Sequence, residues 1–244
     1  MKILLLGYGK MGKAIEQKSL QEGYDIVAKI DSPADWEMFL QNRKAVDVAI
    51  EFTTPKSAPE NIRNCFRENL PVVCGTTGWE SEKESIIREC HDQNKTLFTA
   101  PNFSLGVNIL FMLNRYLAAI MAKTQQYDVM IEEIHHIHKM DTPSGTAKAL
   151  AQDIINLIQW KNQWISGESN KKTDLTIISK REDEIPGTHI IRYESAIDDI
   201  ELKHTAKNRL GFVHGALLAA KWIKNKTGYF TMDDLMNDLF GHFK

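Results

Sequence analysis

The sequence predicts an α/β chain: an N-terminal doubly wound parallel sheet, then a second, α+β domain whose sheet is mixed or antiparallel. Three observations predict it. Short apolar strands alternate with amphipathic helices as far as residue 103. The first strand runs into Gly7-Tyr8-Gly9-Lys10-Met11-Gly12 and then a helix, the order a Rossmann-type dinucleotide fold requires. Beyond residue 170, strands follow one another with few helices between them, which marks a different sheet.

Taken in order, Lys2–Leu6 is a buried strand and Lys10–Gln21 a helix. In the loop between them, Gly7 permits a tight turn, Gly9 lets backbone approach a pyrophosphate, and Gly12 lets helix pack on strand. The second strand, Asp25–Ile30, ends at Asp31, which places a carboxylate where an adenosine ribose 2′-hydroxyl would be bound. The alternative for Asp31 is a turn residue ahead of Pro33. Ser32, Pro33 and Ala34 bring no cation after it, so NADH is favoured over NADPH, although Lys10 or Lys13 can offset the charge. Asp35–Gln41 is a short helix and Val46–Phe52 a strand. A helix over 56–69, the strand Pro71–Cys74, a helix over Ser81–Asn94 and the strand Thr96–Thr99 follow. The loops at 53–55, 75–78 and 100–103 fall at the carboxyl ends of strands, where such sheets bind ligands. Gly75, Thr76, Thr77, Ala100, Pro101, Asn102 and Phe103 are therefore candidate contacts for the nicotinamide half, or merely turn formers.

Gly106–Lys123 is a long helix leading into the second domain. Val129–Ile137 is a strand of mixed pattern, and 144–160 a helix. Residues 160–170 read as a surface connection. Leu175–Arg181, Thr188–Tyr193 and Ile200–Thr205 are strands, with Pro186-Gly187 turning between the first two. Arg209–Lys224 is a helix stopped near Gly228, and Thr231 caps a last helix. The last helices are expected to return to the first domain. The division is a dinucleotide-binding domain of residues 1–104 and 214–244 and a substrate-binding and oligomerisation domain of residues 105–213.

Composition narrows the partners. The 244 residues carry a net charge of −2 and are 43% apolar, which points to neither nucleic acid nor an anionic membrane. Cys65, Cys74 and Cys90 form no CxxC pair and suit a reduced, cytoplasmic setting. The apolar run at the N-terminus ends at Gly7, too short for a signal sequence, and no stretch approaches the roughly 20 apolar residues of a membrane span.

The chemistry concentrates in residues 129–147. His135, His136, His138 and Lys139 precede Thr142-Pro143, read as N-cap and first residue of a helix. Proton donors thus stand beside a helix N-terminus, whose free N–H groups and dipole favour an anion such as a small carboxylate. Strand alternation sets Glu133 and His135 on one face and Glu132, His136 and His138 on the other. That divides the histidines and argues against a metal cage; neither HExxH nor paired cysteines are present, so no metal is expected. With a nicotinamide nucleotide in the same chain, an acid beside the substrate has a clear use: reduction of C=C or C=N leaves negative charge that a proton must quench. Solvated histidines at a polar strand end are the plain alternative.

Glu133-x-His135-His136-x-His138-Lys139-x-Asp141-x-Pro143-Ser144-Gly145-Thr146-Ala147 resembles the signature of the dihydrodipicolinate reductase (4-hydroxy-tetrahydrodipicolinate reductase) family. The resemblance extends through the cofactor loop, Phe52-Thr53-x-Pro55, Gly75–Gly78, Asn102–Asn108, and Arg209, Phe212 and Gly215-Ala216. It implies an oxidoreductase of lysine and diaminopimelate biosynthesis that uses NADH or NADPH to form tetrahydrodipicolinate, usually as a homotetramer assembled through the second domain's sheet. By position it implies His135 as proton donor and acceptor and Lys139 as proton donor. It places His136, Ser144, Gly145 and Thr146 on the substrate, and Gly7–Gly12, Asp31, Gly75–Thr77 and Ala100–Phe103 on the cofactor. The sequence departs from the family in having Lys10 for an arginine, Ser32 for a basic residue, and a short segment between Asp31 and Val46. The first two departures weigh against NADPH, and the third implies a trimmed adenosine side of the pocket. Two rival readings share the fingerprint: another two-domain dehydrogenase acting on an amino or hydroxy acid, and a nucleotide sensor without catalysis.

Overall fold

A computed structural model describes residues 1–42 and 44–241 and divides the chain into two units. One is Met1–Leu105 with residues 210–241; the other is Gly106–Arg209. The return thus begins at Leu210, where a helix starts, rather than at 214; residues 242–244 of the expected first domain lie outside the described residues.

In chain order the elements are β1 (Lys2–Leu6), α1 (Lys10–Gln21), β2 (Asp25–Ile30), α2 (Pro33–Gln41), β3 (Val48–Glu51), α3 (Ala58–Arg67), β4 (Val72–Cys74), α4 (Glu80–Asp92) and β5 (Thr96–Thr99). Next come α5 (Leu105–Met121), β6 (Asp128–His135), α6 (Gly145–Leu157), β7 (Gln163–Ser166), β8 (Asp174–Arg181), β9 (Thr188–Glu194) and β10 (Asp199–Thr205). The chain closes with α7 (Leu210–Ile223), β11 (Gly228–Phe230) and α8 (Met232–Phe240).

The first unit holds one sheet in the order β11-β5-β4-β3-β1-β2 with every pairing parallel. β1 lies between β2 and β3, so the winding reverses beside the Gly7–Gly12 loop, the place where such sheets take ligands. Leu4, Leu6, Ala49, Val72 and Leu97 of the sheet pack with Ile62, Phe66 and Ile86 of the helices. Two elements differ from expectation. α2 begins at Pro33 rather than Asp35, because Ser32 and Asp35 form a reciprocal capping box and proline suits the first helical position. β11 adds a short edge strand against Thr96–Phe98; three residues are too few to show a strand period. Thr231 caps α8 through Asp234, as expected.

The second unit's sheet runs β10-β9-β6-β8-β7. β6 is antiparallel to β9 and parallel to β8, and β7 is parallel to β8. β7 occupies the stretch expected to be a surface connection. β6 is thus central, and its alternate residues Val129, Ile131, Glu133 and His135 are buried. Ile131, Ile177, Ile191 and Tyr193 meet Leu150, Ala151 and Ile154 of α6 in the core. Among the described residues no helix is long and apolar enough to cross a membrane.

α7 packs tightly against the loop before α5. A Cβ on Gly215 would sit 1.7 Å from the Phe103 carbonyl oxygen, which backbone cannot yield. Gly215→Ala is expected to lower stability by about 1–3 kcal/mol, read as a lower urea midpoint.

Candidate active site

The second unit builds its polar cluster by strand register. Glu133 of β6 stands opposite His189 on β9 and Ser179 on β8, and His135 stands opposite Arg181. Glu133 is fully buried, and its Oε1 accepts the Ser144 backbone N–H at 3.0 Å and the Ser179 hydroxyl at 2.8 Å. Arg181 Nη1 lies 3.6 Å from the same oxygen. The second oxygen, Oε2, faces His135 Nδ1 at 3.3 Å and His189 Nε2 at 3.9 Å, off the line of a good hydrogen bond. Burial pushes the Glu133 carboxyl up. Hydrogen bonding from His135, Ser144 and Ser179 outweighs it, so the group stays well below the usual carboxylate range. The firm donors are Ser144 and Ser179, and with Arg181 they are enough to keep it ionised.

The loop after β6 is held by Arg181, whose guanidinium donates to the carbonyls of Lys139 and Asp141 and, at 2.7 Å, to the Thr142 hydroxyl. Lys139 Nζ pairs with Asp141 at 2.7 Å, which holds the Asp141 carboxyl down. β6 ends at His135, so His136 and His138 belong to a turn and not to the strand's other face. His136 is half-buried, and His138 is 72% exposed with Glu184 3.8 Å away. The helix start also shifts. Ser144, not Thr142, is the N-cap of α6, with its hydroxyl accepting from Ala147 N, and the Thr142–Pro143 peptide is cis. The first-turn amides of Gly145 and Thr146 remain available to an anion.

Glu133, His135 and His189 each bring a ligand atom within 4.8 Å of the others. Alternation along β6 alone does not foresee this convergence, because His189 comes from β9. Arg181 stands beside Glu133, and Lys139 at the end of the same turn pairs with Asp141, so positive charge already borders the set.

The first unit holds the other expected residues. Gly7 has φ +90, and a Cβ there would meet the Phe52 carbonyl oxygen at 2.1 Å; a Cβ on Gly12 would meet the Gly7 carbonyl oxygen at 2.2 Å. Gly9 alone of the three faces open space, with nothing within 4 Å, so the fold's own packing does not require its lack of a side chain. Met11 and Lys10 open α1. A cavity of about 690 Å³ is lined by residues that include Gly7, Tyr8, Gly9, Asp31, Trp36, Thr53 and Glu60. Asp31 accepts the Tyr8 N–H at 3.0 Å. Thr76, Thr77, Ala100 and Pro101 line a smaller cavity of about 100 Å³. Gly75 packs on the Phe52 ring, Asn102 accepts the Ser104 N–H, and Phe103 is buried against Phe52 and Phe98. Buried Glu51 ties two loops together: it accepts from Thr53 N–H and Cys74 Sγ, while Thr53 N–H also reaches the Thr76 hydroxyl at 2.8 Å. These backbone cradles fit a dinucleotide.

The model of dihydrodipicolinate reductase, N-terminus, matches residues 1–103, and that of dihydrodipicolinate reductase, C-terminus, matches residues 106–236. The chain belongs to the dihydrodipicolinate reductase family. A 4-hydroxy-tetrahydrodipicolinate reductase of Christiangramia forsetii is 47% identical over 240 residues, covering 98% of this chain and 99% of the relative. One from Buchnera aphidicola is 35% identical over 201 residues, 78% of this chain and 73% of its own. A solved structure, dipicolinate-bound dihydrodipicolinate reductase from Paenisporosarcina sp. TG-14, superposes with a TM-score of 0.78 at 21% identity over 96% of this chain and 99% of that one, a likeness of fold. As a member of the dihydrodipicolinate reductase family the chain is an NAD(P)H-dependent oxidoreductase, with a doubly wound parallel sheet and a second mixed sheet.

Within this dihydrodipicolinate reductase fold, sequence reasoning passed over Arg181 and His189. Neither has a neighbouring motif; only the register of β6 with β8 and β9 brings them to Glu133 and His135. Burial first, then the nearby His135, pulls the His189 pKa down to about 3. The unfolded chain therefore takes up this proton as pH falls through the ordinary value of about 6.5, and the folded chain does not. Stability from this group is complete above that value and is lost toward lower pH, by at most about 1.4 kcal/mol per pH unit. In His189→Gln, unfolding free energies measured by denaturant titration at pH 7.5 and 5 are expected to differ less than in the parent chain.

Proposed function

We propose that this chain reduces 4-hydroxy-tetrahydrodipicolinate to tetrahydrodipicolinate in lysine and diaminopimelate biosynthesis, with His135 and Lys139 serving proton transfer. The observation that carries the reading is the grouping of His135, Lys139 and the α6 N-terminus in one cluster held by Glu133 and Arg181. Bound on the Gly7–Gly12 loop, NAD(P)H supplies the reducing equivalent. The protein's own residues do the rest. Loss of water from the hydroxylated ring gives a conjugated imine, and its reduction leaves an enamine that needs a proton. His135 and Lys139 supply that proton. The first-turn amides of Gly145 and Thr146 and the His136 ring hold the dicarboxylate, whose charge also answers Lys139; the Ser144 amide, expected on the substrate, is taken by Glu133. Tyr8, Lys10, Met11, Asp31 and the loops at 75–77 and 100–103 hold the cofactor.

NADH is the better partner. Asp31 and Glu60 both line the larger cavity, and among its lining residues there is no lysine or arginine. A 2′-phosphate entering there meets two carboxylates. The buried free cysteines suit a reducing, cytoplasmic setting. Exposed Ile197 and Ile200 around the β9–β10 turn suit assembly of the second unit's sheet into a homotetramer.

The direct test is NADH oxidation with the condensation product of pyruvate and aspartate semialdehyde. His135→Ala and Lys139→Ala are each expected to lower kcat on the order of a hundredfold or more, with NADH affinity changed little. Near-normal turnover in both variants removes the assigned roles. In the same assay kcat/KM for NADH is expected to exceed that for NADPH by about tenfold or more, and Asp31→Asn to narrow the gap. An NADPH preference in the parent chain overturns the cofactor assignment.

A further inference from the structure

We propose that Glu133 is a positioning residue that acts through His135, holding its neutral ring as the Nδ1–H tautomer so that Nε2 is the nitrogen that exchanges a proton with substrate. The proposal rests on the assignment of His135 to proton transfer. Its warrant is the way the two carboxylate oxygens are divided. Oε1 is committed as an acceptor by the Ser144 N–H and the Ser179 hydroxyl. Oε2 is left facing His135 Nδ1 at 3.3 Å. A carboxylate only accepts, so the facing ring nitrogen must be the one that carries hydrogen. The opposite nitrogen, Nε2, lies over Gly187, where a Cβ would stand 2.9 Å away; the missing side chain leaves room beside that nitrogen.

His189 does not compete for this role. Its ring stands edge-on to His135 with centroids 5.1 Å apart, its Nε2 lies 3.2 Å from the Ser144 hydroxyl, and burial keeps it uncharged. When His135 takes a proton, the imidazolium has Glu133 as its buried counter-charge. Glu133 also fixes the first residue of the anion-binding turn through Ser144 N–H. One side chain thus sets both the proton site and the carboxylate site on a common frame. The off-line geometry at Nδ1 is of the kind that tightens when substrate binds.

Glu133→Gln gives a directional test. Ser144 and Ser179 both donate to Oε1, so the amide oxygen must take that place and the NH2 group must face His135 Nδ1. Nδ1 then has to accept, and the neutral ring becomes the Nε2–H tautomer, the wrong one for a base at Nε2. The expected result in the full chain is a kcat lowered on the order of a hundredfold or more, with KM for the dicarboxylate and NADH affinity changed by less than about threefold. In a His135→Ala background, Glu133→Gln is expected to add less than about twofold, because its effect passes through the missing ring. Imidazole nitrogen NMR is expected to show Nδ1–H for His135 in the parent chain and Nε2–H in Glu133→Gln. An Nε2–H ring in the parent chain, or a Glu133→Gln effect that persists in full without His135, overturns the proposal. Slow His135→Ala with silent Glu133→Gln sinks this inference alone; near-normal His135→Ala sinks the proton-transfer reading and this inference with it. Should Glu133→Gln fail to fold, the parent chain's tautomer decides.

Discussion

A fully buried carboxylate on the central strand is the constraint around which the second unit is arranged. Transferring an ionised Glu133 out of water costs several kcal/mol even after relaxation, unless donors meet it. Two donors meet it, Ser179 on β8 and the Ser144 amide at the head of α6, while Arg181 at the end of β8 and two histidines on β6 and β9 stand close by. The strand order that puts β6 between β8 and β9 is what makes these groups adjacent. Arg181 then extends the network to the 139–142 turn, so the lysine and the helix N-terminus are placed by the same charge that sets His135.

The first unit obeys a different constraint, close approach of backbone to backbone. Gly7 lies against the Phe52 carbonyl and Gly12 against the Gly7 carbonyl, so two glycines of the fingerprint are required by the protein's own packing. Gly9 is open, and the protein's own packing does not require a glycine there. This separates two reasons that a sequence pattern merges. Glu51 plays a part akin to that of Glu133, a buried carboxylate that fastens the loop after β3 to the loop after β4.

Function in this chain lies in side chains rather than in the scaffold, since doubly wound sheets serve many reactions. Hydride chemistry asks the first unit only for a shaped, phosphate-tolerant cradle. In the proposed reaction the second unit manages a proton and an anion together, and its polar groups are accordingly buried and cross-linked. The exposed His138, 72% open to solvent, takes no part in this network.

By itself the sequence determined the fold class, the cofactor loop and the stretch from Glu133 to Ala147, because each is local: a period, a glycine spacing, an ungapped motif. Helix ends were legible where the cap was the obvious one, as at Thr231. They slipped where a cap lay one or two residues from the obvious one, as at Ser144 and Ser32. Short edge strands such as β7 and β11 have too few residues to show a period. Only the tertiary structure decided which residues meet Glu133. His189 lies 56 positions away in sequence (189 − 133) yet stands directly opposite in the sheet, because strand register is set by packing across the whole face and no local pattern encodes it.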